Sequence, residues 1–116
     1  MLQHRLVAHR GYQRKYPENT LLAMAEAVKA GARFVETDIQ LTADLQPVLC
    51  HDSLLARCCG RPESIHDLNV RDAIAIPANE AIRLGDQFGN ERIPALVDFV
   101  DFLGSCHGVS AFIEIK

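Results

Sequence analysis

The stretch from Arg33 to Leu41, RFVETDIQL, decides the fold. It alternates, with Phe34, Glu36, Asp38 and Gln40 on one face and Val35, Thr37, Ile39 and Leu41 on the other. A period of two with β-branched residues predicts a strand. The segment before it has a helical period. Thr20 to Ala30 reads TLLAMAEAVKA, and Leu21, Leu22, Ala25 and Val28 form one apolar face with Met24 beside it. Asn19 or Thr20 caps its start, and Gly31 stops it. Further upstream, Leu6-Val7-Ala8 is a short apolar run that ends at His9-Arg10-Gly11, a buried strand followed by a loop. Strand, helix and strand in this order make a parallel, right-handed βαβ unit.

Downstream, Asp44-Leu45-Gln46 reads as a turn, and Pro47 to Cys50 returns as a short extended piece ending at His51-Asp52. Residues 53–92 have a mixed pattern, with a short helix expected over Leu68–Ile76 that Pro77 ends, and loops at Gly85, Gly89 and Asn90. Pro94 opens a second clear helix that Gly104 follows. Its apolar stripe is Leu96, Val97, Val100 and Leu103, with Phe99 alongside. Val109 to Ile115 is a third strand. Strands alternating with amphipathic helices predict an α/β chain with a parallel sheet.

The chain has 116 residues, enough for one domain, with 48% hydrophobic and 23% charged residues, as in ordinary globular proteins. The formal net charge is −3 and no basic stripe stands out, which argues against nucleic-acid binding. Cys50, Cys58, Cys59 and Cys106 show no metal-finger or C-x-x-C spacing, and four reduced thiols are expected. The first residues lack the apolar core of a signal peptide, and no run approaches the ~20 apolar residues of a membrane span. The expected location is therefore cytoplasmic.

Glu36 and Asp38 are anomalous for a strand of a parallel sheet, where both faces are normally apolar. Two residues apart, they point to one face and repel. A hard divalent cation, Mg²⁺ or Ca²⁺, resolves the repulsion. Glu114 brings a third carboxylate near the end of the third strand, and parallel neighbours align their C-terminal ends, where α/β proteins carry their sites. His9, Arg10, His51 and Lys116 fall at strand ends or adjoining loops as well. Arg10 and Lys116 supply positive charge for an anionic oxygen, and two histidines supply an acid/base pair near neutral pH. The combination suits displacement at a phosphodiester, with the roles of the two histidines left open. His4, His66 and His107 lie outside the pattern and read as surface residues.

The segments VAHRGY (7–12), PENT (17–20), VETDI (35–39), HDSLLAR (51–57), IPAL (93–96) and IEIK (113–116) resemble, in order and spacing, the N-terminal part of glycerophosphodiester phosphodiesterases. The resemblance implies a metal-dependent hydrolase of lipid and glycerol metabolism. Its reaction gives glycerol 3-phosphate and an alcohol such as choline or ethanolamine, and a lipid-like substrate is also within its range. It implies His9 and His51 as catalytic, Glu36, Asp38 and Glu114 as metal ligands, and Arg10 and Lys116 on the phosphate. The implied fold is a (β/α)₈ barrel with a small insertion after the second strand, to which residues 53–92 correspond. Residues 1–116 would then be one incomplete domain holding the first three βα units, since a full barrel takes ~250 residues. Its open edges lead to an expectation of self-association. The alternative is a catalytically silent barrel fragment that binds metal or associates with itself.

Overall fold

The computed structural model describes residues 6–116, so His4 lies outside the described residues. Strand β1 (Val7–His9) leads through a long loop to helix α1 (Leu21–Lys29), and β2 (Phe34–Leu41) follows. β3 (Pro47–Leu49) turns back antiparallel to β2. Three single-turn helices then appear, α2 (Ala56–Cys59), α3 (Val70–Ala73) and α4 (Ala81–Leu84), with a 3₁₀ turn at Ile65–Asp67. Helix α5 (Leu96–Gly104) and strand β4 (Ser110–Ile115) complete the order.

β2 is the centre of an open sheet. β1 pairs with it in parallel over Phe34–Glu36, and β4 pairs in parallel over Phe34–Ile39. β3 pairs with its far end, Ile39–Leu41. Because β4 occupies one edge, β1 and β3 share the other, one behind the other. Among the described residues there are three parallel strands joined by two connections, and no helix follows the third.

α1 starts where Thr20 Oγ1 accepts from the Ala23 N–H at 3.1 Å. Of the two expected caps Thr20 does the work, while the Asn19 side chain turns toward β2. The buried stripe of α1 is Ala23, Met24 and Ala27, rotated from the expected Leu22–Ala25 face. Close approach to the first loop explains the rotation. A Cβ on Gly11 would lie 2.7 Å from the Ala23 carbonyl carbon and 2.9 Å from its Cβ. Only small residues fit there, and Gly11 also adopts φ +78°. In α5 the buried residue is Phe99, flanked by Leu96, Phe102 and Leu103, while Val97 and Val100 are exposed. Met24, Val35, Ile39, Leu49 and Phe99 close this core.

Pro94 lies before the second helix rather than in its first turn. Its carbonyl accepts from Leu49 N–H at 2.9 Å, so the backbone is still extended there and the helix begins at Leu96. Gly104 is the last helical residue, not the one after it. The expected helix over 68–76 shrinks to the single turn of α3. Residues 50–95 have a small core of their own, Leu55, Ile65, Ala73, Ile76, Ala78 and Ile93, packed on Val48. All four cysteines are free. Among the described residues no helix is long and apolar enough to cross a membrane.

Candidate functional site

β2 carries Glu36 and Asp38, and its parallel partner β4 carries Glu114 directly opposite Asp38. One oxygen from each carboxylate lies within 4.8 Å of the others. Asp38 is almost fully buried, and its Oδ1 has no hydrogen-bond partner. A buried carboxylate oxygen with no hydrogen bond, set among two other carboxylates and with the Lys116 ammonium no nearer than 3.9 Å, is costly unless a further cation faces it. Carboxylate oxygens alone, with no sulfur or nitrogen donor, suit a hard divalent ion. The three residues therefore fit such an ion. Burial and the charge of Asp38 push the Glu36 carboxyl above its ordinary range, against an opposing N–H from Arg10. Lys116 acts on Glu114 the other way, donating from Nζ at 3.2 Å and holding that carboxyl below its usual range. Lys116 Nζ is also 3.9 Å from Asp38 Oδ1.

The loop after β1 is shaped around the same strand. Arg10 adopts φ +58°, a left-handed conformation that strains a side chain of this kind. There its backbone N–H reaches the Glu36 carbonyl at 2.8 Å and the Glu36 carboxylate at 3.2 Å. Its guanidinium turns inward, with Nε 3.3 Å from Asp38 and Nη1 3.2 Å from Glu18. Asn19, at φ +57°, donates to Asp38 at 3.2 Å and accepts from Thr37 at 2.8 Å. His9 sits at the end of β1, with Nε2 3.9 Å from Glu36. Gln13 Nε2 donates to its Nδ1 at 2.9 Å, which leaves the proton of a neutral ring on Nε2.

His51 follows β3, and its carbonyl accepts from the Gln40 side chain at 2.7 Å. Its Nδ1 is 2.7 Å from Asp52, and Arg57 Nε donates to the other Asp52 oxygen at 2.9 Å. Those two partners, Arg57 first, hold Asp52 down to about 2. Its lasting negative charge keeps the His51 proton on Nδ1 and leaves the Nε2 lone pair free. Arg57 also forks onto Glu18 at 2.7 and 2.9 Å. Burial pushes the Glu18 carboxyl up, but Arg57 and Arg10 outweigh it and hold it below the usual range. Glu80 accepts the Glu18 backbone N–H at 2.7 Å and is clasped by Arg83.

The structure thus brings Glu36, Asp38, Glu114, Arg10 and Lys116 together, with His9 on one flank. The His51 side chain makes its contact with Asp52, beside rather than within this cluster. His66 and His107 are exposed, apart from this cluster. Sequence reasoning assigned no role to Glu18, Arg57, Glu80 or Gln13, and saw Asn19 only as a cap. Glu18, Asn19 and Arg57 do lie in the segments PENT and HDSLLAR, and membership of those segments was the available signal. Glu80 offers no such signal.

A family model for the glycerophosphoryl diester phosphodiesterase family matches residues 9–116. Glycerophosphodiester phosphodiesterase 1 of Rattus norvegicus is 37% identical over 110 residues, which cover 95% of this chain and 33% of the relative. Glycerophosphodiester phosphodiesterase of Caldanaerobacter subterraneus is 33% identical over 99 residues, covering 85% of this chain and 40% of the relative. Among solved structures, an Oleispira antarctica phosphodiesterase in complex with the product sn-glycerol-3-phosphate superposes with TM-score 0.86 at 29% identity, over 95% of this chain and 43% of that one. Glycerophosphodiester phosphodiesterase from Agrobacterium tumefaciens also gives 0.86, at 27% identity, over 95% and 46%. The chain spans from a third to less than half the length of these relatives. With a model match over nearly its whole length and relatives of one kind, the chain belongs to the glycerophosphoryl diester phosphodiesterase family.

Proposed function

We propose that this chain carries the reactive edge of a glycerophosphodiester phosphodiesterase, hydrolysing a glycerophosphodiester to glycerol 3-phosphate and an alcohol. The observation that carries the reading is the buried Asp38 Oδ1, which lacks a hydrogen bond and lies within reach of Glu36 and Glu114. Glu36, Asp38 and Glu114 hold Mg²⁺ or Ca²⁺, which when bound polarises the phosphoryl group. Arg10 and Lys116 face the phosphate oxygens from either side of Asp38. His51 anchors Nδ1–H on Asp52 and so keeps Nε2 as the nitrogen that exchanges protons, and His9 does the same once the Gln13 amide turns its oxygen toward Nδ1. One takes the proton of the attacking oxygen, and the other gives one to the departing alcohol oxygen. Residues 1–116 are one partial domain, the first strands of a (β/α)₈ barrel, with 53–92 as an insertion after the second. Four free thiols suit a reducing cytoplasm, and a role in glycerol and lipid metabolism follows from the substrate.

The test is release of glycerol 3-phosphate with Mg²⁺, Ca²⁺ or EDTA. Turnover that survives EDTA or Glu36→Ala would remove the metal assignment. A second reading, association of this chain with a copy of itself, is favoured by the outer side of β4. Phe112 on one face of this strand and Ile113 and Ile115 on the other are exposed, and the strand pairs only with β2 among the described residues. Unpaired strands with apolar side chains seek a partner. Sedimentation equilibrium giving a monomer mass at tens of micromolar would rule this out.

A further inference from the structure

A cleft of about 480 Å³ opens between the loop after β1 and residues 57–83. Arg10, Arg14, Arg57 and Arg83 line it, with Glu18 and Glu80. Four guanidiniums against two carboxylates leave this wall positive in a chain whose net charge is −3. Both carboxylates are nearly buried and already engaged, Glu18 by Arg57 and Arg10, Glu80 by Arg83. Asp52 draws on Arg57 from behind. The Arg14 side chain is exposed and has no ion-pair or hydrogen-bond partner among the described residues, whereas Arg10 Nε faces Asp38 at 3.3 Å. A guanidinium carries five N–H groups, so Arg57 and Arg83 also keep donors that their carboxylates do not use.

Two contacts join the sides of the cleft. Arg83 donates to the Tyr16 carbonyl at 3.0 Å, and Glu80 holds the Glu18 N–H, so the two sides are clamped together. Arg10 belongs to both places, lining the cleft and touching Asp38. The cleft therefore adjoins the carboxylate cluster.

We propose that this cleft takes a second anionic group, a phosphate or carboxylate carried by the alcohol half of the diester. Diesters of an acidic alcohol are then favoured, and a cationic head such as choline is opposed by four arginines. The assignment rests on the phosphodiesterase reading above.

The experiment has two arms. In EDTA the chain is titrated with inorganic phosphate while arginine Nε–H signals are followed by NMR. Saturable shifts at Arg14 and Arg83 are expected, with Kd raised about tenfold by Arg14→Glu, as for loss of one charge-assisted contact. Unmoved arginine signals, or a Kd indifferent to both Arg14→Glu and Arg83→Gln, would overturn the proposal. In Ca²⁺, a glycerophosphodiester whose alcohol bears a phosphate should bind at least tenfold tighter than glycerophosphocholine, and Arg14→Glu should erase that difference. Equal binding of the two diesters would show a site for free phosphate only and overturn the head-group assignment. If neither diester binds while phosphate still fills the cleft, the phosphodiesterase reading has failed, and the head-group assignment falls with it.

Discussion

Replacing Glu36 by Gln should change stability with opposite signs in the absence and presence of a divalent cation. Three carboxylate oxygens lie within 4.8 Å of one another. At that separation two unit charges repel by about 3.5 kcal/mol for an effective dielectric near 20. Lys116 and Arg10 bring two positive charges against three negative ones, so most of the repulsion is cancelled. A residue of about 1 kcal/mol is left for the Glu36 charge. The elevated Glu36 carboxyl agrees in sign. The unfolded chain gives up this proton more readily, so at neutral pH the ionised side chain costs the fold stability. In EDTA the Gln variant should therefore unfold about 1 kcal/mol less easily than the parent. With Ca²⁺ at a hundred times its Kd, the parent should gain about 2.7 kcal/mol, and the variant, short of one ligand, less than about 1 kcal/mol. Urea melts followed by circular dichroism, with EDTA and with Ca²⁺, give all four numbers. A variant less stable than the parent in EDTA, or one that retains the full gain from Ca²⁺, would refute the reasoning.

Gly11→Ala should cost about 3 kcal/mol or more, because its Cβ meets the Ala23 backbone at 2.7 Å and φ is +78°. A urea midpoint close to the parent's would show that the loop moves aside freely. Arg57→Ala should destabilise by about 2–3 kcal/mol, since it strips two hydrogen bonds from the nearly buried Glu18 and one from Asp52. Adding Glu18→Gln should recover part of that loss in a double-mutant cycle, and strictly additive losses would contradict the ion-pair account. Asp52 and Glu18 are both held below their ordinary values of 3.8 and 4.5. Their contribution to stability is complete above those values and is lost as the pH falls through them, toward about 2 for Asp52. The urea midpoint should hold from pH 7 to about 5 and then fall, and the fall should be shallower in Arg57→Ala. A midpoint unchanged down to pH 3 would dismiss this coupling.

β2 was legible because a strand spans the whole alternating stretch Phe34–Leu41, although burial runs unbroken from Thr37 to Gln40 and Leu41 is exposed, and the carboxylates at 36 and 38 were conspicuous against it. The helices were legible as periods but not as faces. α1 has apolar residues nearly all round, and the side that goes inward was fixed by a steric limit at Gly11, which lies in another element. Val97 and Val100 look as apolar as Phe99, yet the side of the helix that carries Leu96, Phe99 and Leu103 is the one packed against the core. The region 53–92 stayed opaque because its single-turn helices are too short to show a period, and its core is gathered from isolated residues far apart in the chain. In the site, the groups at strand ends followed from topology. The arginine and carboxylate contacts behind them did not, because Glu18, Arg57 and Glu80 meet across 39 and 62 residues of chain.

On one edge of β2 the pairing changes hands. β1 holds it as far as Glu36, β3 takes over at Ile39, and Thr37 and Asp38 fall in the space between. Asn19 enters that space from the side. His9 and His51 are therefore borne on separate arms that meet a common rail from opposite directions. The separation of the two imidazoles is a length the chain can adjust without touching the carboxylates. Sliding the Pro47–Leu49 arm along β2 by two residues keeps every side chain on its face and carries His51 about 7 Å. The turn at Thr42–Gln46, closed by Thr42 Oγ1 on the Gln46 carbonyl and N–H, is what fixes that length. Variation in that turn would therefore resize the span between His9 and His51 and, on the proposed reading, the size of the phosphate ester accommodated there.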